Sequence, residues 1–325
     1  HSYLEIFRRL QMRYTSILIL GMSLGLGFGA VATGCSATSG ELPFGNSGGN
    51  NSGGAGGSAG QTSTGGQAGM PGTGGSGGEG GFFFPMDAGG GGPVEMAGEV
   101  FGHSYDTLYK LEPISKQVTV VGQFKGCSNI IDLAIDKDSK IIATTFGALY
   151  WIDKTTAACT QISTGSYPNS LSFVPAGTLD PVNEALVGYQ GSTYIRISTT
   201  TGQVTTIGSI GGGYNSSGDI VSVKGGGTYL TVNGNGCGDC LIQVDPKTGS
   251  LVKNWGPTGF GSVFGIAFWA GSVYGFTDGG DLFEMTFNNG QLVVSAPIPI
   301  PGAPQNLSFW GAGSTTIAPP EPPPK

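Results

Sequence analysis

The chain is predicted to be all-β and to fold as a five-bladed β-propeller, and three features of its sequence predict this. A triplet of large, small and large residues recurs five times in the C-terminal two-thirds of the chain. A second element, an aromatic or apolar residue followed by another apolar one and then an acid, alternates with the triplet. The outermost copies are incomplete in complementary ways, so the two ends of the repeat region together make one unit.

The best-formed unit runs from Ile131 to Ile162. In "IDLAID" Leu133 and Ile135 point one way and Ala134 the other; "KIIATT", "ALYWID" and "CTQI" follow between polar turns, giving four short strands. The triplet Leu133-Ala134-Ile135 aligns with Leu171-Ser172-Phe173, Val221-Ser222-Val223, Ile266-Ala267-Phe268 and Leu307-Ser308-Phe309. Spacings of 38, 50, 45 and 41 residues suit a repeat of four strands. The second element appears as Tyr109/Leu111/Glu112, Tyr150/Ile152/Asp153, Tyr194/Ile197 and Ile242/Val244/Asp245, with a degenerate copy at Phe283/Met285. Tight-turn residues such as Lys154-Thr155-Thr156, Thr201-Gly202, Lys247-Thr248-Gly249 and Asn289-Gly290 follow it. A twisted four-stranded sheet cannot bury both faces alone, so blades stack radially. Ala134, Ser172, Ser222, Ala267 and Ser308 are then the small residues that leave room for large ones on the neighbouring blade.

Complete blades are expected at about 129–166, 168–210, 217–258 and 262–302. Leu108 to Gly122 are expected to supply strands three and four of the closing blade, and Asn306 to Ala318 strands one and two. This closure is expected to leave no exposed sheet edge. The propeller therefore covers 99–318, with a Pro-rich extended tail at 319–325 and a long turn at Pro175 to Ala185 inside one blade.

The N-terminal third has a different composition. It holds roughly half of the 62 Gly, and residues 35–98 form a Gly/Ser/Thr/Asn tract with almost no apolar surface to bury, interrupted by Phe82-Phe83-Phe84-Pro85. Such a tract behaves as a flexible tether with a mean reach of about 40 Å. Before it, Arg8, Arg9 and Arg13 precede an apolar run from Ile17 to Ala32, which ends in Ala32-Thr33-Gly34-Cys35. Charged, apolar and small-residue regions in this order make residues 1–34 a signal peptide, with Met12 as a tidier start than His1. Small residues followed by Cys resemble a bacterial lipobox, which implies cleavage before Cys35, its acylation, and attachment to the membrane by lipid. Ser36 after the Cys favours, by the same resemblance, the outer membrane. The chain as a whole resembles Gly-rich-linker propeller lipoproteins of Gram-negative soil bacteria such as the myxobacteria, which bears on location and fold and not on activity. Residues 1–34 carry three Arg and one Glu, so their loss takes the net charge from −7 to −9. An acidic chain without a basic cluster is a poor ligand for nucleic acid, and a monomer is expected.

Candidate chemistry is sparse. After Cys35, Cys127 is expected to pair with Cys159 and Cys237 with Cys240, consistent with an oxidising compartment. The single CxxC has no second half, and His103 is the only histidine after the signal segment, so zinc and thioredoxin-like chemistry lack support. His103 has no nucleophile motif nearby. Asp132, Asn169, Asp219 and Asn306 each precede a triplet and are expected to ring the axis at one end of the channel. Such oxygens either bind Ca2+ or accept backbone N–H groups at the strand entrances. The metal alternative distantly resembles the metal-dependent propeller lactonases, which generally have six blades and a Glu ligand; here the fourth copy offers Gly265. Tyr167, Tyr214 and Phe260, on Gly-hinged loops at the same end, are candidates for contact with a glycan or protein, or for packing over the blades. These readings favour a non-catalytic binding or scaffolding module, with a metal-dependent hydrolase or lactonase as the alternative.

Overall fold

A computed structural model describes residues 98–322. The signal peptide, Cys35, the Phe82-Phe83-Phe84 patch and all but the last residue of the tract at 35–98 lie outside the described residues, as do the last three residues of the tail.

The described residues form a five-bladed β-propeller of five antiparallel four-stranded sheets. Blade 1 contains β1 (Val100–His103), β2 (Thr107–Leu111) and β3 (Val118–Gln123). Blade 2 is β4 (Asp132–Ile135), β5 (Ile141–Thr144), β6 (Ala148–Ile152) and β7 (Cys159–Thr164). Blade 3 is β8 (Leu171–Val174), β9 (Ala185–Gln190), β10 (Thr193–Ile197) and β11 (Val204–Ser209). Blade 4 is β12 (Asn215–Ser222), β13 (Thr228–Gly234), β14 (Cys237–Val244) and β15 (Leu251–Pro257). Blade 5 is β16 (Val263–Trp269), β17 (Ser272–Thr277), β18 (Leu282–Asn288) and β19 (Gln291–Val294). The last strand, β20 (Gly311–Ser314), returns to blade 1 as its inner strand, in the order β20-β1-β2-β3.

The closure corrects the expected split. The N-terminal segment supplies three strands and the C-terminal segment one, with Val100 opposite Ser314 and His103 opposite Gly311. Leu307-Ser308-Phe309 has the look of an inner-strand triplet but lies before the strand, which is Gly311-Ala312-Gly313-Ser314. Nor does closure remove every edge. It completes the ring at the axis, while the fourth strand of each blade remains the outer edge of its sheet.

Local chemistry sets the hairpins. The turn between the third and fourth strands opens on a side-chain oxygen that accepts the following backbone N–H groups. Asp153 takes those of Thr155 and Thr156, Ser198 those of Thr200 and Thr201, and Asp245 that of Lys247. The acid of the second sequence element is therefore a turn cap. In blade 4 the turn ends at Gly249, with φ at +70°, where a Cβ would sit 2.3 Å from the Tyr194 ring of blade 3. Blades thus interlock through their turns as well as through their faces.

The core lies between blades. Leu133, Ile135 and Ile141 of blade 2 pack on Phe101 and Leu108 of blade 1, while Ala134, Ile142 and Leu149 on the opposite face meet Leu171, Leu186 and Ile195 of blade 3. Tyr189 and Tyr194 fill the junction of blades 3 and 4 with Ile220, Leu230 and Ile242, and Phe268, Phe276, Phe283 and Phe309 fill those around blade 5. Both expected disulfides form, Cys127–Cys159 with Cα atoms 5.8 Å apart and Cys237–Cys240 with Cα atoms 5.5 Å apart. The first ties the loop entering blade 2 to the outer strand of that blade.

Candidate functional site

The inner strands start around one end of the axis, and hydrogen bonding fixes their true register. Asp132 accepts from its own neighbour, Leu133 N–H, at 2.8 Å through Oδ1 and from Leu171 N–H of blade 3 at 2.7 Å through Oδ2. Asp219 repeats this: Oδ1 accepts Ile220 N–H at 2.6 Å, and Oδ2 accepts Ile266 N–H of blade 5 at 2.8 Å. Leu133, Leu171, Ile220 and Ile266 are therefore equivalent, and the axial position before them is held by Asp132, Ser170, Asp219 and Gly265, with Gly311 completing the ring. The Val221-Ser222-Val223 triplet is thus displaced by one residue from the true register, because the valines on both sides of Ser222 imitate the pattern.

The four-oxygen ring does not assemble. Asp132 and Asp219 are both fully buried on the axis, but Asn169 lies one residue before the axial position and is half-buried, and Asn306 is exposed, five residues ahead of its strand. The oxygens of the two acids already serve as acceptors for strand N–H groups, whereas Ca2+ needs six to eight oxygen ligands. Among the described residues no group of three His, Cys, Asp or Glu side chains is placed to hold a metal ion. The residues present do not fit the metal alternative.

The axial acids form a pair with each other instead. Burial raises both carboxyls well above the usual carboxylate range; repulsion by Asp219 adds to this at Asp132, whereas at Asp219 the hydrogen bond with Asp132 works against it, and at both the strand N–H groups pull the other way. The two carboxyls hydrogen-bond to each other. Beside them stands His103, which sequence reasoning set aside. Its cross-strand partner is Gly311, and a Cβ on Gly311 would meet His103 Nε2 at 2.4 Å and Asp132 Oδ1 at 2.5 Å. Only glycine at position 311 leaves room there for both the imidazole and the acid. His103 Nδ1 lies 2.7 Å from the Ser104 carbonyl, which it serves as donor, while Nε2 is buried without a hydrogen-bond partner. Burial outweighs that hydrogen bond and lowers the imidazole from 6.5 to about 4, so it is neutral at pH 7. No sequence motif signals this cluster, because its members are brought together by ring closure.

The loop aromatics are taken up in packing rather than presented for contact. Tyr167 is 3% exposed and donates to the Gly202 carbonyl. The Tyr214 hydroxyl accepts from Asn235 and Asn254. Phe260 stacks on Phe283 with centroids 4.0 Å apart. The far end of the axis is also filled. Thr315, Thr316 and Ala318 are buried there, where Thr315 N–H donates to the Glu99 carbonyl, Lys224 N–H donates to the Thr316 carbonyl and Thr316 Oγ1 bonds Glu184.

No family model matches the chain, and no curated protein matches it in sequence. Several solved structures resemble it in part. A chain of a nidogen/laminin complex is 10% identical, over 68% of this chain and 99% of that one, with a TM-score of 0.45. A symmetrical protein from work on the de novo evolutionary emergence of symmetry is 18% identical over 70% of this chain and 100% of that one, at 0.46. XC5397 from Xanthomonas campestris, described as a gluconolactonase, is 12% identical over 61% and 70%, at 0.40.

Proposed function

We propose that the chain is an exported, lipid-anchored propeller that works as a non-catalytic binding or scaffolding module at the cell envelope, attached to the outer membrane through Cys35 and held off it by the tract at 35–98. The observation that carries this reading is the state of the cysteines. All four in the propeller are paired in two disulfides, which suits an oxidising compartment, and the one left over is the lipobox cysteine. The axial groups support the non-catalytic part. In this propeller Asp132 and Asp219 are engaged in joining inner strands of successive blades, and among the described residues no serine or cysteine hydrogen-bonds to His103 Nε2.

Metabolic labelling with an alkyne-tagged palmitate tests the anchor. The expected result is a labelled chain in the outer-membrane fraction and an unlabelled, released one after Cys35→Ser. A Cys35→Ser chain that still carries label, or that stays on the membrane, overturns it. For the non-catalytic part, hydrolysis of lactones or esters by the purified chain that vanishes in Asp219→Asn is the contrary outcome.

A further inference from the structure

Blade 3 carries a feature that the ring does not need. In blades 2 and 4 five residues separate the first strand from the second, and in blade 5 two residues do so; in blade 3 ten residues, 175–184, make the same connection. This arm is internally fixed. Gly177 N–H donates to the Asp180 carbonyl at 2.7 Å, and Asp180 Oδ1 takes the N–H groups of Val182 and Asn183 at 3.0 and 2.8 Å. Its base is pinned by Glu184, which accepts from Lys137 N–H of blade 2 and from Thr316. An ordered arm of this length costs backbone entropy of order 1–2 kcal/mol per residue, yet it contributes one partly buried side chain, Leu179, to the core.

Between the arm and the outer half of blade 3 lies a cleft of about 660 Å³. Its aliphatic floor is Leu179 and Ile207, both half-buried, with Leu186 and Ile197 buried beneath, and its lining contains no aromatic ring. Arg196 reaches into it, the only arginine after the signal segment. The guanidinium makes no hydrogen bond among the described residues. Its nearest acid is Asp180, at 3.7 Å, beyond hydrogen-bond length and already committed to the arm's own N–H groups. A planar fork of donors with none spent is suited to a carboxylate. One wall is β11, the outer edge of its sheet, where Thr205 and Thr206 are exposed. Such an edge accepts an extended chain.

We propose that this cleft is a peptide-binding site that takes a free C-terminal carboxylate on Arg196, the last aliphatic side chain on the floor, and the preceding residues along β11. The inference rests on the reading of the propeller as a binding module and names the partner class. Asp180 competes with the ligand for the guanidinium, and the lining as a whole holds two acids, Asp180 and Glu184, against the one arginine.

The experiment is fluorescence binding of the purified full chain, in detergent, to heptapeptides ending in Leu, Val or Phe, each as the free acid and as the amide. The aliphatic free acids are expected to bind, with losses of tenfold or more on amidation and in Arg196→Gln, and a severalfold gain in Asp180→Asn. Arg196→Lys, which keeps charge without the fork, is expected to fall between. Equal binding of acid and amide, no effect of Arg196→Gln at an unchanged melting temperature, or no binding by any free acid overturns the site. A parallel pull-down of envelope extract separates this from the module reading: a ligand retained equally by wild type and Arg196→Gln leaves the module intact and refutes the cleft.

Discussion

At the scale of single residues, the propeller is held by a few buried polar atoms. Asp132 serves two strand N–H groups in different blades, so Asp132→Ala leaves both donors buried and unpaired. The expected cost is about 3 kcal/mol, from about 1–3 kcal/mol for each stranded group, measured by urea unfolding. The pH dependence at the axis has two opposed parts. His103, lowered to about 4, refuses a proton that the unfolded chain accepts near 6.5, so its contribution is present at neutral pH and lost as pH falls through that window. The acid pair is raised, so its folded form holds a proton that the unfolded chain releases, and its contribution is lost as pH rises above the ordinary carboxylate range. His103→Gln is expected to remove the loss between pH 6.5 and 4, leaving stability that grows on acidification. An unchanged pH profile in this variant contradicts the placement of the imidazole. Glu99 behaves in the usual direction. Burial works against its charge, but hydrogen bonds from Lys110 and Lys154 prevail and bring it down to about 2, so its contribution fades as pH falls from the ordinary range toward 2.

At the scale of elements, the inner strand β20 is the least typical. Gly311-Ala312-Gly313-Ser314 has little strand propensity of its own, and its glycines are explained by what they approach. A Cβ at 311 meets His103, Asp132 Oδ1 and, at 3.1 Å, the Asp132 backbone, while one at Gly147, in an open turn, meets nothing within 4 Å. Gly311→Ala is expected to cost about 2–3 kcal/mol through overpacking, and Gly147→Ala to stay within about 0.5 kcal/mol, both read from thermal melts. The Cys127–Cys159 bridge closes a loop with a sequence separation of 32 residues. Its removal by Cys127→Ser with Cys159→Ser is expected to cost about 3 kcal/mol, well beyond the loss for the three-residue separation of Cys237 and Cys240. These elements also show what the sequence could and could not reveal. Blades 2, 3 and 5 were legible because Leu133, Leu171 and Ile266 begin clean alternations flanked by turn residues. Blade 1 was misdivided because Val100-Phe101-Gly102-His103 directly follows a Gly-rich tract, and because Leu307-Ser308-Phe309 matches the pattern better than the glycines that form the strand. Asp132 and Asp219 could be placed by position. His103 could not, since its place beside Asp132 depends on a strand pairing made at the far end of the chain.

At the scale of the whole molecule, the ring is closed at the axis from both ends. Acids and imidazole occupy the end where the inner strands begin, and residues 315–318 occupy the other, in contact with Glu99 and with residues of blades 3 and 4. Deleting residues 315–325 is expected to expose the inner strands and lower the melting temperature by several degrees while leaving the strand content by circular dichroism near the wild-type value. The closure also imposes an order on assembly. Glu99 and Thr315, hydrogen-bonded neighbours in the folded chain, are 216 residues apart in sequence. A ribosome delivers β1 long before β20, and until β20 emerges blade 1 has no inner strand and Asp132 has no Gly311 beside it. The ring therefore closes last of all, once nearly the whole chain has been made, and every blade before it must wait for that strand to complete the circle.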